Sequence, residues 1–127
     1  MMEPSPIRVL SVDDHPLLRE GISAMITSQP DMVLVAAAST GRDGIAQFRE
    51  HRPDVTLMDL RLPDMNGIEA TRRIKAAHPA VLVVLISTGD PGQLPTAVHE
   101  CDAAAVARKQ DLNPRFLREL WQALQSS

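Results

Sequence analysis

The chain has 127 residues, of which 44% are hydrophobic and 23% are charged, a balance typical of a globular protein. A chain of this length forms one domain and buries enough surface to fold without a disulfide or a structural metal. The formal net charge of −3 argues against a nucleic-acid clamp, because binding to a phosphate backbone requires clustered Lys and Arg. The only cysteine, Cys101, excludes an internal disulfide and a cysteine-based zinc site.

The N-terminal residues lack the charged and apolar regions of a secretory signal, and no apolar run approaches the ~20 residues that span a bilayer. Together with the lone cysteine, these features predict a cytoplasmic protein without a membrane partner. We expect residues 1–6 to be a disordered lead-in and residues 7–125 to be one domain. Residues 126–127 then form a tail or the start of a linker.

Five short aliphatic runs alternate along the chain with segments of helical periodicity. The runs are nearly continuous, as expected for strands covered on both faces, and they occupy residues 7–12, 32–37, 54–58, 81–86 and 103–107. The segments between and after them carry apolar stripes at helical spacing. These stripes comprise Leu18, Ile22, Met25 and Ile26, then Ile45 and Phe48, then Ile68, Thr71 and Ile74, and finally Leu117, Leu120, Trp121 and Leu124.

Helix starts are marked by capping residues. Thr40 followed by Asp43 forms a capping-box pattern, and Asn113 before Pro114 predicts an N-cap followed by proline at the first helical position. Prolines after the fourth run delay the next helix until near Leu94 and make it short. The alternation of strand and helix predicts an α/β fold, a doubly wound parallel sheet of five strands with right-handed crossovers.

Polar residues follow the predicted strands where each strand ends. They are Asp13 and Asp14, Asp59, Ser87 and Thr88, and Lys109. Doubly wound sheets place their chemistry at the carboxyl ends of their strands, so these groups are expected to converge on one crevice. Converging carboxylates repel one another unless a cation shares the site, and Mg²⁺ prefers such oxygen ligands. The sequence therefore predicts a crevice suited to a divalent cation and a phosphoryl group, which a carboxylate can accept.

Each of these residues also has a purely structural interpretation. The acidic pair Asp13 and Asp14 could simply cap the first helix, and an Asp at a strand end is more often a turn residue than a nucleophile. A Ser-Thr pair after a strand commonly begins a loop, and one Lys is usually a solvated charge. The occurrence of all of these groups at one predicted edge favours the site.

Two stretches resemble the receiver domain of response regulators. They are Val-Leu-Ser-Val-Asp-Asp-His-Pro at residues 9–16 and Asp-Leu-Arg-Leu-Pro-Asp-Met-Asn-Gly at residues 59–67. The second stretch is highly specific, and the likeness extends from residue 7 to about residue 124. His-Pro at residues 15–16 and Gly-Ile-Glu-Ala-Thr-Arg-Arg-Ile at residues 67–74 resemble the subfamily whose members often carry a C-terminal helix-turn-helix DNA-binding domain. The resemblance implies the flavodoxin-like (βα)5 receiver fold with strand order 2-1-3-4-5.

The resemblance also implies a role for each matching residue. Asp59 is the expected phospho-acceptor and, with Asp14 and the backbone carbonyl of Arg61, a ligand of Mg²⁺ or Mn²⁺. Asp13 is expected to act on the cation through water. The phosphate-binding and switch positions are Ser87, Thr88 and Lys109. Pro63 and Gly67 are expected to shape the loop after Asp59.

The function implied is a phosphorylation-dependent signalling switch of a two-component system that takes part in transcription regulation. A histidine kinase or phosphotransfer protein would supply the phosphoryl group, and the domain would be a regulatory acceptor that catalyses only its own phosphotransfer and dephosphorylation. Nucleic acid would be contacted only through an output domain after residue 127. A homodimer through the first and last helices is an option that family habit suggests.

One departure from the family pattern bears on the switch, and two alternative functions stay open. Val106 stands at the strand position where the family usually has Tyr or Phe, and the chain contains no Tyr. An interaction module that no longer depends on phosphate is therefore the second hypothesis. A phosphatase with an Asp nucleophile is the third, although it would require an acid where Arg61 stands.

Overall fold

The computed structural model describes residues 5–87 and 103–125. The strands are β1 (Ile7–Val12), β2 (Met32–Ala38), β3 (Val55–Asp59), β4 (Leu82–Ser87) and β5 (Ala105–Arg108). The helices are α1 (Pro16–Thr27), α2 (Gly41–His51), α3 (Gly67–Ala77) and α4 (Pro114–Gln125), with a 3-10 turn over Lys109–Asp111. The helix expected near Leu94, together with Thr88 and Cys101, lies outside the described residues.

The strands form one parallel sheet in the order β2-β1-β3-β4-β5, which confirms the predicted topology. β3 and β4 are buried along their whole length, and this explains why their sequences show no alternation of polar and apolar residues. The register between β1 and β2 shifts between Val9 and Leu10, a bulge that the sequence did not indicate.

Each face of the sheet is covered by helices, as expected for a doubly wound fold. One face packs against α1 and α4 around Ile22, Leu57 and Leu117. The opposite face packs against α2 and α3 around Phe48 and Ile74. All predicted stripe residues of α2 and α3 are buried, whereas Met25, Leu120 and Trp121 are only partly buried against the first face.

The predicted caps are confirmed where their atoms are described. The Thr40 hydroxyl accepts a hydrogen bond from the Asp43 amide at 3.0 Å, and the Asn113 side-chain oxygen accepts one from the Phe116 amide at 2.8 Å. The alternative in which Asp13 and Asp14 cap the first helix is wrong. His15 occupies that N-cap position, and its side chain makes no capping hydrogen bond.

Some strand boundaries differ from the predictions. Asp54 precedes β3 and accepts a hydrogen bond from the Arg8 amide at 2.9 Å, so its side chain anchors the neighbouring strand. At their other ends β3 and β4 extend to Asp59 and Ser87, because Asp59 pairs with Ile86 and Ser87 with Arg108. No helix in the described ranges is long and apolar enough to cross a membrane.

Candidate functional site

The topology brings the ends of β1 and β3 together at the centre of the sheet. These strands are neighbours, and Val12 pairs with Met58. Because the strands are parallel, the next residues, Asp13 and Asp59, lie at the same carboxyl edge. The predicted convergence of the acidic residues of β1 and β3 is therefore confirmed.

Asp59 is the last residue of β3, and only 3% of its surface is exposed. Burial raises the pKa of its carboxyl group, and the charges of Asp13 and Asp14 raise it further. A hydrogen bond from the Arg61 amide to Oδ1, at 3.1 Å, opposes this rise in pKa. The Asp59 carboxyl group is thus held by one hydrogen bond, and burial and the neighbouring negative charges disfavour its ionised form.

Asp13 is also buried, with 1% of its surface exposed. Its Oδ1 accepts a hydrogen bond from the His15 amide at 3.1 Å, and its Oδ2 accepts one from the Ser11 hydroxyl at 3.3 Å. Burial is the largest influence on the pKa of Asp13 and raises it, as does the charge of Asp14, whereas these hydrogen bonds and the nearby Arg19 oppose the rise. Asp14, in contrast, is exposed, and its side chain has no hydrogen bond within the described part of the chain.

The loop after Asp59 is compact because several groups fix its path. The Leu60 amide donates to the Ile86 carbonyl at 3.1 Å, and the Gly67 amide donates to the Leu60 carbonyl at 2.8 Å. A Cβ atom on Gly67 would overlap the backbone carbonyl of Asp59. Gly67 has no positive φ, so glycine is required here for close approach rather than for an unusual turn conformation.

Two residues that the sequence did not single out support this region. The Asp64 carboxylate accepts hydrogen bonds from the first amides of α2. The distance is 2.8 Å from the Gly41 amide and 2.9 Å from the Arg42 amide. Arg19 donates from Nη2 to the Asp13 carbonyl at 3.0 Å. Asp64 falls within the motif of residues 59–67, but nothing in that motif indicates a contact with a helix so far away in sequence.

The remaining predicted residues belong to the ends of β4 and β5 or lie outside the described residues. Ser87 ends β4 and is buried, and Thr88 lies outside the described residues. Lys109 follows β5 and is exposed, and in the described ranges it forms no ion pair with Asp59. The Lys109–Gln110 peptide bond, whose isomer the sequence does not determine, is trans. Val106 lies in β5 and is partly buried against the α2–α3 face.

The acidic crevice fits a hard divalent cation with few protein ligands. Within residues 5–87 and 103–125, no three His, Cys, Asp or Glu side chains are arranged to hold a metal ion. Mg²⁺ does not need three, because it is usually bound by one or two carboxylates and several waters. Two buried carboxyl groups whose pKa values are raised by burial, with the exposed Asp14 beside them, match that requirement.

A family model described as the response regulator receiver domain matches residues 9–119. The response regulator GacA of Pseudomonas viridiflava is 38% identical over 103 residues, which cover 81% of this chain and 48% of that protein. A protein-glutamate methylesterase/protein-glutamine glutaminase of Nitrosospira multiformis is 39% identical over 101 residues, which cover 80% of this chain and 28% of that protein. The chain thus spans less than half the length of both relatives.

Solved structures give the same result. The crystal structure of a LuxR-family two-component response regulator from an Aurantimonas species has a TM-score of 0.84 and 30% sequence identity. The match covers 96% of this chain and 87% of that chain. The family model spans most of the sequence, including the acidic crevice, and the fold agrees. The chain therefore belongs to the response regulator receiver domain family.

Proposed function

We propose that this domain is a phosphorylation-dependent switch and that Asp59 accepts the phosphoryl group. The observation that carries the proposal is the burial of Asp59 beside Asp13 at the carboxyl edge of the sheet. A turn residue at that edge would normally face solvent. A buried carboxyl group that is held by a backbone amide and crowded by other carboxylates is typical of a functional site.

The transfer needs an ionised Asp59. Its carboxylate oxygen attacks the phosphorus of a phosphohistidine on the donor, the phosphorus–nitrogen bond breaks, and the imidazole leaves and takes up a proton. The product is an acyl phosphate on Asp59. The Arg61 amide, bonded to Oδ1, orients the carboxylate for this attack. Positioning of this kind and neutralisation of charge are the main requirements of phosphoryl transfer.

Mg²⁺ or Mn²⁺ would be held by Asp14, Asp59 and the backbone carbonyl of Arg61, with Asp13 acting through water. The bound cation would supply positive charge that shields the phosphoryl group from the carboxylates. Asp14 is suited to the direct contact because its exposed carboxylate has no competing hydrogen bond within the described residues. Asp13 is suited to an indirect role, since both of its carboxylate oxygens already accept hydrogen bonds from the protein.

Ser87, Thr88 and Lys109 would contact the phosphoryl oxygens. The burial of Ser87 at the end of β4 supports its part in this proposal. Lys109 is exposed, so its side chain would have to turn toward the crevice when the phosphoryl group arrives. A histidine kinase or phosphotransfer protein would be the donor, and an output domain in a longer protein would receive the signal. The domain would act as an acceptor rather than as an enzyme with turnover.

A phosphate-independent interaction module is the second candidate, and Val106 is the observation that favours it. Val106 packs partly buried against the α2–α3 face and has too small a side chain to exchange between buried and exposed positions as an aromatic ring can. The phosphatase hypothesis has no comparable support, because Arg61 stands where a second acid would be needed.

The decisive experiment is incubation of the purified chain with acetyl phosphate and Mg²⁺, followed by intact-protein mass spectrometry. We expect the addition of one phosphoryl group, its loss in EDTA, and no addition to Asp59→Asn. Asp54→Asn is the matched control, because Asp54 lies at the opposite end of β3 and the amide oxygen preserves its bond to the Arg8 amide. An unmodified wild type would favour the interaction module, and rapid turnover of phosphate esters would favour the phosphatase.

A further inference from the structure

Arg19 lies near the start of α1, the helix that follows Asp13 and Asp14. Its Nη2 donates to the backbone carbonyl of Asp13 at 3.0 Å. Its Nε is buried and has no hydrogen-bond partner in the part of the chain that the structure describes. Burying an unpaired donor costs free energy, so the Nε of Arg19 contributes nothing to stability through hydrogen bonding.

The bond to the Asp13 carbonyl fixes one peptide unit of the crevice. The Asp13 amide donates to the Ala38 carbonyl at 3.0 Å, which ties the preceding peptide to the end of β2. The next peptide unit joins Asp13 to Asp14, and its carbonyl is held by Arg19. The direction of that peptide unit determines where the Asp14 side chain points. Because Asp14 has no side-chain hydrogen bond among the described residues, its orientation depends on the backbone.

Arg19 also brings a positive charge near the Asp13 carboxylate, although it bonds the backbone carbonyl and not the carboxylate. The nearest carboxylates, those of Asp13, Asp14 and Asp59, repel one another. A guanidinium bonded to the backbone reduces this repulsion, while the Asp13 carboxylate oxygens keep their bonds to the Ser11 hydroxyl and the His15 amide. Arg19 thus offsets part of the negative charge and fixes the peptide unit between Asp13 and Asp14.

We propose that Arg19 is a positioning residue for the cation site, because its bond to the Asp13 carbonyl fixes the peptide unit from which the Asp14 carboxylate extends. This inference rests on the proposed function, in which Asp14 binds the cation directly. Residues behind metal ligands commonly change metal affinity by 10–100-fold when they are replaced. Arg19→Met removes both the charge and the hydrogen bond, and we expect it to weaken Mg²⁺ binding by about that factor.

Binding is measured without any phosphate, by titrating MgCl₂ into the ¹⁵N-labelled full chain and following the amide signals of residues 13–15. Arg72→Met is the matched control, since Arg72 is an exposed residue of α3 and its loss changes the net charge equally. Arg19→Lys retains a charged donor and should lie closer to wild type than Arg19→Met. Circular dichroism and urea unfolding in EDTA establish that each variant is folded. If Arg19→Met proves unfolded, Arg19→Gln, which removes the charge and keeps a polar side chain, takes its place, and a Mg²⁺ affinity equal to wild type in that variant overturns the role of Arg19.

A second readout separates positioning from chemistry. The rate of phosphorylation by acetyl phosphate is measured at increasing Mg²⁺ concentration. For Arg19→Met we expect the half-saturating Mg²⁺ concentration to rise while the maximal rate stays near that of wild type. A merely structural role would lower the maximal rate with the folded fraction and leave the half-saturating concentration unchanged.

The outcomes distinguish this inference from the proposed function. Mg²⁺ affinity equal to wild type in Arg19→Met, or an equal loss in Arg72→Met, would overturn the role of Arg19 even if Asp59 is phosphorylated. A wild type that binds Mg²⁺ but takes up no phosphoryl group would contradict the proposed function. The Mg²⁺ affinities of wild type and Arg19→Met would still decide the role of Arg19. A wild type that binds no Mg²⁺ would overturn both.

Discussion

Replacement of Gly67 by Ala should be among the most disruptive small substitutions in the protein. The added Cβ would overlap the backbone carbonyl oxygen of Asp59, and it would lie 3.0 Å from the carbonyl carbon and 3.1 Å from the Leu60 Cα. These are backbone atoms, and the Leu60 amide is bonded to the Ile86 carbonyl at 3.1 Å. Neither chain segment can move aside as a flexible side chain would.

The expected loss in the free energy of unfolding follows from the effect of overpacking substitutions in other proteins. Forcing an extra methyl group into a packed site costs about 1–3 kcal/mol, and a clash with backbone belongs at the upper end. For a domain of this size, about 3 kcal/mol lowers the melting temperature by roughly 10 °C. Because the clash involves Asp59 itself, phosphorylation by acetyl phosphate should fall as well, even at temperatures where the variant is folded.

Gly21→Ala is the matched control, and we expect it to raise the free energy of unfolding rather than lower it. Gly21 is exposed within α1, and a Cβ atom there meets nothing within 4 Å. Replacing glycine by alanine inside a helix should stabilise the protein by about 0.5–1 kcal/mol. Urea unfolding of both variants, with phosphorylation measured in parallel, tests the pair. A Gly67→Ala protein as stable and as active as wild type would refute the reasoning.

Three further predictions follow from individual side chains. Asp64→Ala removes both hydrogen bonds to the start of α2 and should cost about 0.5–1 kcal/mol at neutral pH. Those amides lower the Asp64 pKa from 3.8, so its stabilisation is present above that value and lost as the pH falls through the folded pKa. In urea unfolding, the free energies of unfolding of wild type and variant should converge as the pH is lowered. A difference that persists in acid would contradict this prediction. Thr56→Val should be neutral or stabilising, because the buried Thr56 hydroxyl has no partner in the described ranges, and a loss above about 1 kcal/mol would reveal a bond. Leu57→Ala should cost about 2–5 kcal/mol in thermal unfolding, since Leu57 is completely buried, and a loss below about 1 kcal/mol would indicate a loosely packed core.

The strands were predictable because both faces of the sheet are covered. β3 and β4 are buried throughout, so their sequences are continuous aliphatic runs that differ clearly from the stripes of α2 and α3. The proximity of Asp13 to Asp59 was predictable for a related reason. Parallel strands end at a common edge, and polar residues directly after buried strands are brought together there.

The supporting contacts could not be predicted in the same way. Asp64 lies 23 residues from Gly41, and the bond between them depends on how the loop after β3 meets α2. Arg19 lies only six residues from Asp13, yet a side chain that bonds a backbone carbonyl leaves no residue pattern. The proximity of Lys109 to the crevice also depends on its side-chain rotamer, which sequence does not determine.

The central claim is that Asp59 is the residue that carries the phosphoryl group. After phosphorylation by acetyl phosphate and Mg²⁺, borohydride reduces an aspartyl phosphate to homoserine, and peptide mass spectrometry locates the converted residue. We expect homoserine at residue 59 and unconverted aspartate at residues 13, 14 and 54. Conversion at any of those three positions, or at none in a protein shown to be folded, would contradict the account.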